Sequence, residues 1–475
     1  MRSCFLALLL AASPAFAQPA DWPQFRGPNG SGLAGDQPGI PVDVGPEKHV
    51  VWKVALPSGH SSPIVHGDRI YLTGVVEKKL LTIALDRATG KTLWQREAPY
   101  QTLETVHPTG GSLAQSTPAT DGERLVSFFG SSGLLCYDPA GKLLWRREMG
   151  PFKNDFGAGS SPIIVGDRVL LNQDHDTGSF LLCVDKHSGK TLWQTDRPES
   201  RRSYSTPVVW TVDAKPQVVV AGTLRVVGYD LETGKEVWTV RGLARLVNPT
   251  PVIGPDNTLY LSSWTAGGDA EDRFDLPPFP EMLKRLDANQ NGTLEPNEVA
   301  TTIIKERFPQ FDVDKDGHIA GPEYEQTRAI CDQARNCFLA IKPGGRGDVS
   351  KSHVQWEVTK GLPYMPSPVY HQGHLFIVKD GGLLGCLDAK TGQLLSQERI
   401  YGAGRYYSSP IVVNGKIYLA NQEGKLSVVE AANGTRVLHR VAFGEDVYAT
   451  PAAVGGKLYF RTMGHLYCFS SEGGR

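Results

Sequence analysis

Neither sign of charge prevails in this chain: 49 Lys and Arg stand against 50 Asp and Glu, a net charge of −1. No basic run disturbs that balance, so no field draws a polyanion and nucleic acid is not an expected partner. Long apolar runs are missing as well. The one near the start, Phe5 to Ala12, falls short of the roughly 18 residues a membrane span needs, and nothing later approaches that length. With Arg2 before it and Ala15-Phe16-Ala17 after it, this run reads as a leader cleaved after Ala17, which sends the mature chain to the periplasm or out of the cell. Cysteine is sparse: seven in 475 residues, with Cys4 inside the leader and too early to become a lipid-modified N-terminal residue. No Ser-His-Asp or thiolate arrangement can be assembled from the linear order, and no catalytic residue is assigned.

What the chain has in quantity is repetition. Ser or Thr precedes Pro at Ser62, Thr117, Ser161, Thr206, Thr250, Ser367, Ser409 and Thr450, and the prolines fall 41 to 55 residues apart except for one interval of 117. That period is a propeller blade's. Each unit holds short β-rich runs, such as Val169 to Leu171 and Leu181 to Val184, parted by Gly-Asp and Ser-Gly turns. Four such strands make a blade with two apolar faces, which only stacking around an axis can bury. Asp86, Asp185, Asp230 and Asp388 stand where a carboxylate can hold the N–H groups of a Thr-Gly or Ser-Gly turn. Trp94, Trp145, Trp193 and Trp238 follow the turn glycine by four residues, placed to fill the gap between blades. Ser396 and Leu438 hold that place in blades six and seven, where packing should be weaker. Cys136, Cys183, Cys386 and Cys468 share one strand position with Ala84, Gly228 and Val428 and read as small buried residues. Cys331 and Cys337 can pair only if a helix ends between them, because one continuous helix would set them about 9 Å apart along its axis.

The expected order is a leader at 1–17, an irregular segment at 18–48, propeller at 49–266, an insertion at 267–337 and propeller again at 338–475. His49 to Leu56 is a strand with a blade-end Trp52 but no blade before it, and the last unit stops at Leu466 to Phe469 without an outer strand. The two halves should pair. The fold expected is all-β, an eight-bladed β-propeller closed by its N-terminal strand, with a small α-helical insertion in blade five, and a monomer.

Between Trp264 and Phe338 the blade pattern stops, and Asp287 to Glu298 and Asp312 to Glu323 both satisfy D-x-[DN]-x-[DN]-G-x₅-E. They resemble EF-hand calcium loops. Ca²⁺ takes six to eight hard oxygens, which a tight loop supplies from alternate residues. Asp287, Asn289, Asn291 and Glu298 offer side-chain oxygens and Thr293 its carbonyl; Asp312, Asp314, Asp316 and Glu323 repeat the set with the His318 carbonyl. Glu295 can act directly or through water, whereas Ala320 leaves room for water. Leu294 and Ile319 are placed to join the loops by a short β contact, and Phe279, Met282, Leu283 and Leu286 suit the face of an entering helix. The loops begin 25 residues apart, and Val299 to Phe311 is short for two helices, so one shared helix is expected. Two Ca²⁺ ions in a structural or docking role are the expected cofactors.

Residues just before each Ser/Thr-Pro should crowd one end of the axial channel: His60, Gln115, Ser160, Tyr204, Asn248, Met365, Tyr407 and Tyr448, with Arg202, Arg245 and Arg405 nearby. Tyr and Arg suit a flat or anionic ligand, and the plainer reading is that they seal the axis. Ala84 to Trp94 fits A-x-D-x-x-T-G-x-x-x-W, and with the turn-rich stretch Trp22 to Gly32 the sequence resembles the pyrroloquinoline-quinone (PQQ) type eight-bladed propellers. The resemblance implies that fold over nearly the whole mature chain outside the insertion and says little of function. Dehydrogenases of the group typically carry an adjacent Cys pair beside PQQ, which this chain lacks; the lipoprotein branch that assists outer-membrane protein assembly is anchored by an acylated Cys, also missing here. The reading reached is an exported calcium-binding propeller that scaffolds a protein or cell-envelope partner. A PQQ-dependent alcohol or sugar dehydrogenase and an envelope-assembly factor are the alternatives.

Overall fold

Short apolar runs between Gly and Asp turns fold into antiparallel strands, and eight sheets built mainly of four such strands follow one another along the chain. The computed structural model describes residues 20–472 apart from Thr177; the expected leader and its cleavage site lie outside them. Blade one is Ile64–His66, Arg69–Val76, Lys79–Asp86 and Thr92–Ala98, its middle strands buried on both faces and its outer strand mostly exposed. Blade eight has three strands of its own, and Val50–Ala55 completes it by pairing antiparallel with His465–Phe469. The expected closure is therefore present: the fold is an eight-bladed β-propeller.

The Ser/Thr-Pro repeat acquires its meaning at the axis. The backbone N–H of Ser62 donates to Oγ1 of Thr117, that of Thr117 to Oγ of Ser161, and so on through Thr206, Thr250, Ser367, Ser409 and Thr450, whose N–H returns to Oγ of Ser62. Eight hydrogen bonds of 2.9 to 3.3 Å thus close a ring, one joint per blade boundary. Each N–H would otherwise be a buried orphan, because the innermost strand has no neighbour on that side.

The outer joint is an indole on a glycine. Asp86 Oδ1 accepts from the N–H and hydroxyl of Thr89, which drops its carboxyl below the usual range and fixes the turn in which Gly90 takes φ 73°. A Cβ on Gly90 would stand 2.7 Å from the Trp52 ring. Trp52, Trp94, Trp145, Trp193 and Trp356 each lie on or beside the next blade's turn and donate Nε1–H to the carbonyl that follows the turn's first residue, at 2.8 to 3.2 Å. Trp238 departs from the pattern. Blade five has no such turn, so its indole binds Gln217 Oε1 at 2.6 Å within its own blade, and Gly347–Asp348 adds a parallel strand to the edge of blade four. In blade seven the turn is one residue longer, the Glu430 N–H reaching the Arg436 carbonyl where Asp86 reaches Lys91, so His439 rather than Leu438 faces Val428. Cys136, Cys183, Cys386 and Cys468 are buried at the position facing this outer residue. Cys331 and Cys337 are free: α-helix Gly321–Gln333 does end between them, but one thiol packs in the insertion and the other in the blade-four and blade-five core.

The segment before the propeller is an axial floor. Trp22 bridges to Val65 of blade one, Pro23 O accepts from Thr120 of blade two, Asn29 binds Val209 of blade four, and Leu33–Gly35 pairs with Ile411–Val413 of blade seven. The insertion leaves blade five after Leu259–Ser263 and returns at Cys337–Ile341. It has its own core of Phe279, Met282, Leu294, Ile304, Phe311, Ile319 and Tyr324.

Candidate functional site: the inserted loops and the axial mouth

In the insertion, α1 (Phe279–Leu286) leads into the first loop, α2 (Phe308–Phe311) into the second, and α3 (Gly321–Gln333) leaves the second. The shared helix expected over Val299 to Phe311 does not form; that span is turns, a 3₁₀ segment at Lys305–Arg307 and the single turn of α2. The β-branched run Thr301 to Ile304 disfavours a helix, and the Thr302 hydroxyl donates to the Val299 carbonyl at 2.8 Å in a local alternative.

The two loops repeat one wiring. The first Asp accepts from the fifth and sixth N–H groups: Asp287 from Asn291 and Gly292, Asp312 from Asp316 and Gly317. The last Glu bridges the second and ninth: Glu298 takes Ala288 and Glu295, Glu323 takes Val313 and Ala320. Gly292 and Gly317 hold φ of 84° and 91° with nothing crowding them, so glycine serves the bend alone. Leu294 and Ile319, both buried, exchange N–H···O bonds of 3.1 and 2.9 Å and join the loops side by side.

The loops differ in what they gather. Carboxylate oxygens of Asp312, Asp314 and Glu323 lie within 4.8 Å of one another, a set able to hold a metal ion. Asp316 Oδ1 instead accepts the His318 N–H at 2.8 Å. In the first loop the Asn289 and Asn291 amides donate to Glu295, and Thr293 Oγ1 donates to Asn291 Oδ1. His318 spans both loops, its Nδ1 3.2 Å from Glu295 Oε1.

A cationic seam docks the insertion on blades three and four. Arg202 reaches Asp155 and Asp176 at 2.9 Å and the Pro309 carbonyl at 2.8 Å. Burial pulls its guanidinium down, but Asp176 outweighs that and holds it above its ordinary value. Lys315 lies 3.5 Å from Asp176, Lys153 donates to the Asp314 carbonyl, and Arg245 donates to Gln310 at 2.7 Å. Arg202, held by Asp155, Asp176 and the Pro309 carbonyl, and Arg245, held by Gln310, are thus engaged away from the mouth.

His60, Gln115, Tyr204, Asn248, Met365, Tyr407 and Tyr448 do converge, around an axial cavity of about 90 Å³ floored by Phe25. His60 stacks on Tyr448 at 3.8 Å, and Tyr407 packs against Tyr448 at 4.9 Å. Burial, then the charge of Arg461, pushes the His60 imidazole down to about 3. Tyr448 O–H donates to Thr109 O, Tyr204 O–H to Asn154 and Asn248 Nδ2 to Tyr364 O. Ser160 turns to the Ser205 carbonyl, and Arg405 sits outside the cavity beside the Tyr407 phenol. Sequence reasoning missed a larger cleft of about 620 Å³ between the root of the insertion and blades five and six, walled by Trp264, Arg273, Lys360, Tyr364 and Asp380. Its residues come from four separated segments, and only Trp264, where the blade pattern stops, marked it.

The family model described as outer membrane protein assembly factor BamB matches residues 45–152, 77–264 and 312–475, well over half of the chain. This chain belongs to that family. No curated protein matches it. BamB from Moraxella catarrhalis is similar in structure with a TM-score of 0.55 and 15% identity, over 89% of this chain and 99% of that one. The quinohemoprotein alcohol dehydrogenase of Comamonas testosteroni gives 0.58 and 13%, over 96% and 81%. Sqt1 of Saccharomyces cerevisiae gives 0.53 and 11%, over 92% and 99%. At these identities the likeness is one of fold. The whole of the first acidic loop, with everything else from 265 to 311, lies outside the matched residues of this BamB-family chain.

Proposed function

We propose that this chain is a non-catalytic cell-envelope propeller that holds protein partners during outer-membrane protein assembly, with Ca²⁺ in the inserted loops fastening the helical unit across one face. The observation that carries this reading is the closed mouth. A cofactor pocket of ordinary size measures roughly 300 Å³ or more, whereas stacked His60, Tyr407 and Tyr448 leave about 90 Å³ at the axis, and the cleft of about 620 Å³ lies off the axis at the root of the insertion. Membership of a family described by outer-membrane protein assembly supports the partner class, as does the expected export leader. No helix among the described residues is long and apolar enough to cross a membrane.

Asp312, Asp314, Asp316 and Glu323, with the His318 carbonyl, would hold one Ca²⁺, and Asp287, Asn289, Asn291 and Glu298, with the Thr293 carbonyl, a second. The second loop carries more formal charge in its set and is the tighter site. Ca²⁺ would neutralise carboxylates that otherwise repel beside the docked seam.

The test sets purified mature chain against PQQ, with and without Ca²⁺, and against a urea-unfolded outer-membrane β-barrel chain labelled for anisotropy. Binding of the unfolded barrel chain over its folded form, with no PQQ uptake or dye reduction, is the expected result. Saturable PQQ binding with turnover overturns the reading, and Trp264→Ala against Tyr407→Phe then tells the lateral cleft from the mouth.

A further inference from the structure

Two guanidinium groups are sunk beside the axis with no carboxylate to meet them. Arg26 and Arg461 are both fully or almost fully buried, and burial pulls each down to about 9, still protonated at neutral pH. A buried charge is costly unless something of opposite sign or several hydrogen bonds compensate it. Arg461 donates to the carbonyls of Pro57, Ser61 and Thr73 at 2.8 to 3.1 Å. Arg26 is less well served: Nη2 donates to Pro368 O at 2.7 Å, while Nε and Nη1 have no partner among the described residues.

The contacts of these two cations bracket the hydroxyl ring. Ser61 is the residue before ring member Ser62, and Pro368 follows ring member Ser367. Ring members from seven blades wall the cavity of about 90 Å³. Each ring oxygen already accepts a backbone N–H, and no acceptor for its own proton stands among the described residues. A hydroxyl rotates to suit its partner and turns that proton toward an acceptor at the centre. His60, kept neutral, adds no charge of its own.

We infer that the axial cavity is a binding site for one small monovalent anion of halide size, held by the ring hydroxyls in the field of Arg26 and Arg461. The volume is that of about three waters at roughly 30 Å³ each, which admits a halide with one or two waters and turns away organic anions of cofactor size. Oε1 of Gln115 and Oδ1 of Asn248, buried at the same wall without a partner, call for donors that those waters supply. The anion balances the charge at the point where all eight blades meet, and so ties the stability of the ring to halide.

Bromide is the probe. Crystals of the mature chain soaked in bromide are expected to show an anomalous peak inside the hydroxyl ring, and the thermal midpoint to rise with the logarithm of chloride or bromide at constant ionic strength set with gluconate. Thr206→Val, which removes one ring hydroxyl at nearly constant shape, is expected to weaken halide binding roughly tenfold, the worth of one hydrogen bond to a charged group. Arg26→Met should erase the halide dependence of the midpoint whatever it does to the midpoint itself. An axis without an anomalous peak, a midpoint that follows gluconate as well as chloride, or an Arg26→Met variant that keeps the dependence would each overturn the assignment. Formate occupying the ring in preference to bromide overturns the halide class.

Discussion

Trp193 of blade three shows what one side chain does for a blade boundary. Its ring lies against Gly234 of blade four, where a Cβ would come within 2.4 Å, and its Nε1–H reaches the Leu231 carbonyl at 3.0 Å. At the equivalent place in blade six, Ser396 offers only an Oγ that accepts the Gly434 N–H at 3.1 Å. Trp193→Ala should therefore cost about 3 to 5 kcal/mol and Ser396→Ala no more than about 1 kcal/mol. Urea midpoints at unchanged m-value check both, and equal losses would show that the indole joint is not what holds the blades. The spacing from glycine to Trp was legible because it lies within one repeat. The exceptions were not, since Trp238 turns inward for want of a turn on the following blade and His439 replaces Leu438 through a turn one residue longer.

At the scale of elements, the inserted loops were readable position by position, because a twelve-residue loop fixes its own hydrogen bonds. The Leu294–Ile319 bridge stands where the pattern put it, and Asp287, Asp312, Glu298 and Glu323 hold backbone N–H groups of their own loops. The span between the loops was misread, since the number of residues says nothing of the Thr and Ile run that breaks a helix. The second loop gathers three carboxylates while the first folds its amides onto Glu295. On the proposed Ca²⁺ binding, Glu323→Gln would take a carboxylate from the second loop's set, with an expected loss of Ca²⁺ affinity of roughly 10- to 100-fold. Titration calorimetry should show the tighter site weakened and the weaker one kept. Hydrogen exchange should show Ca²⁺ slowing residues 312–323 more than the blades, and equal protection everywhere would count against a local fastening.

At the scale of the whole molecule, blade number and closure were legible because the repeats could be counted and two half-blades were left over. The hydroxyl ring and the axial floor were not, since both arise only when distant blades come face to face. A chain beginning at Leu56 leaves the edge of His465–Phe469 unpaired, and exposed strand edges recruit other chains. Such a variant is expected to aggregate and lose a single unfolding transition followed by tryptophan fluorescence; a monomer with an unchanged transition would show that the closing strand is dispensable. The ring also runs one way, every N–H pointing to the next blade's hydroxyl, and its eight joints are alike. Nothing in such a circle marks a first blade. With Ser470 N–H bonded to the His49 carbonyl at 3.0 Å, the first and last strands of the propeller already touch, so the order of blades is a matter of cyclic sequence, and a cut between any two blades would leave the same ring of joints.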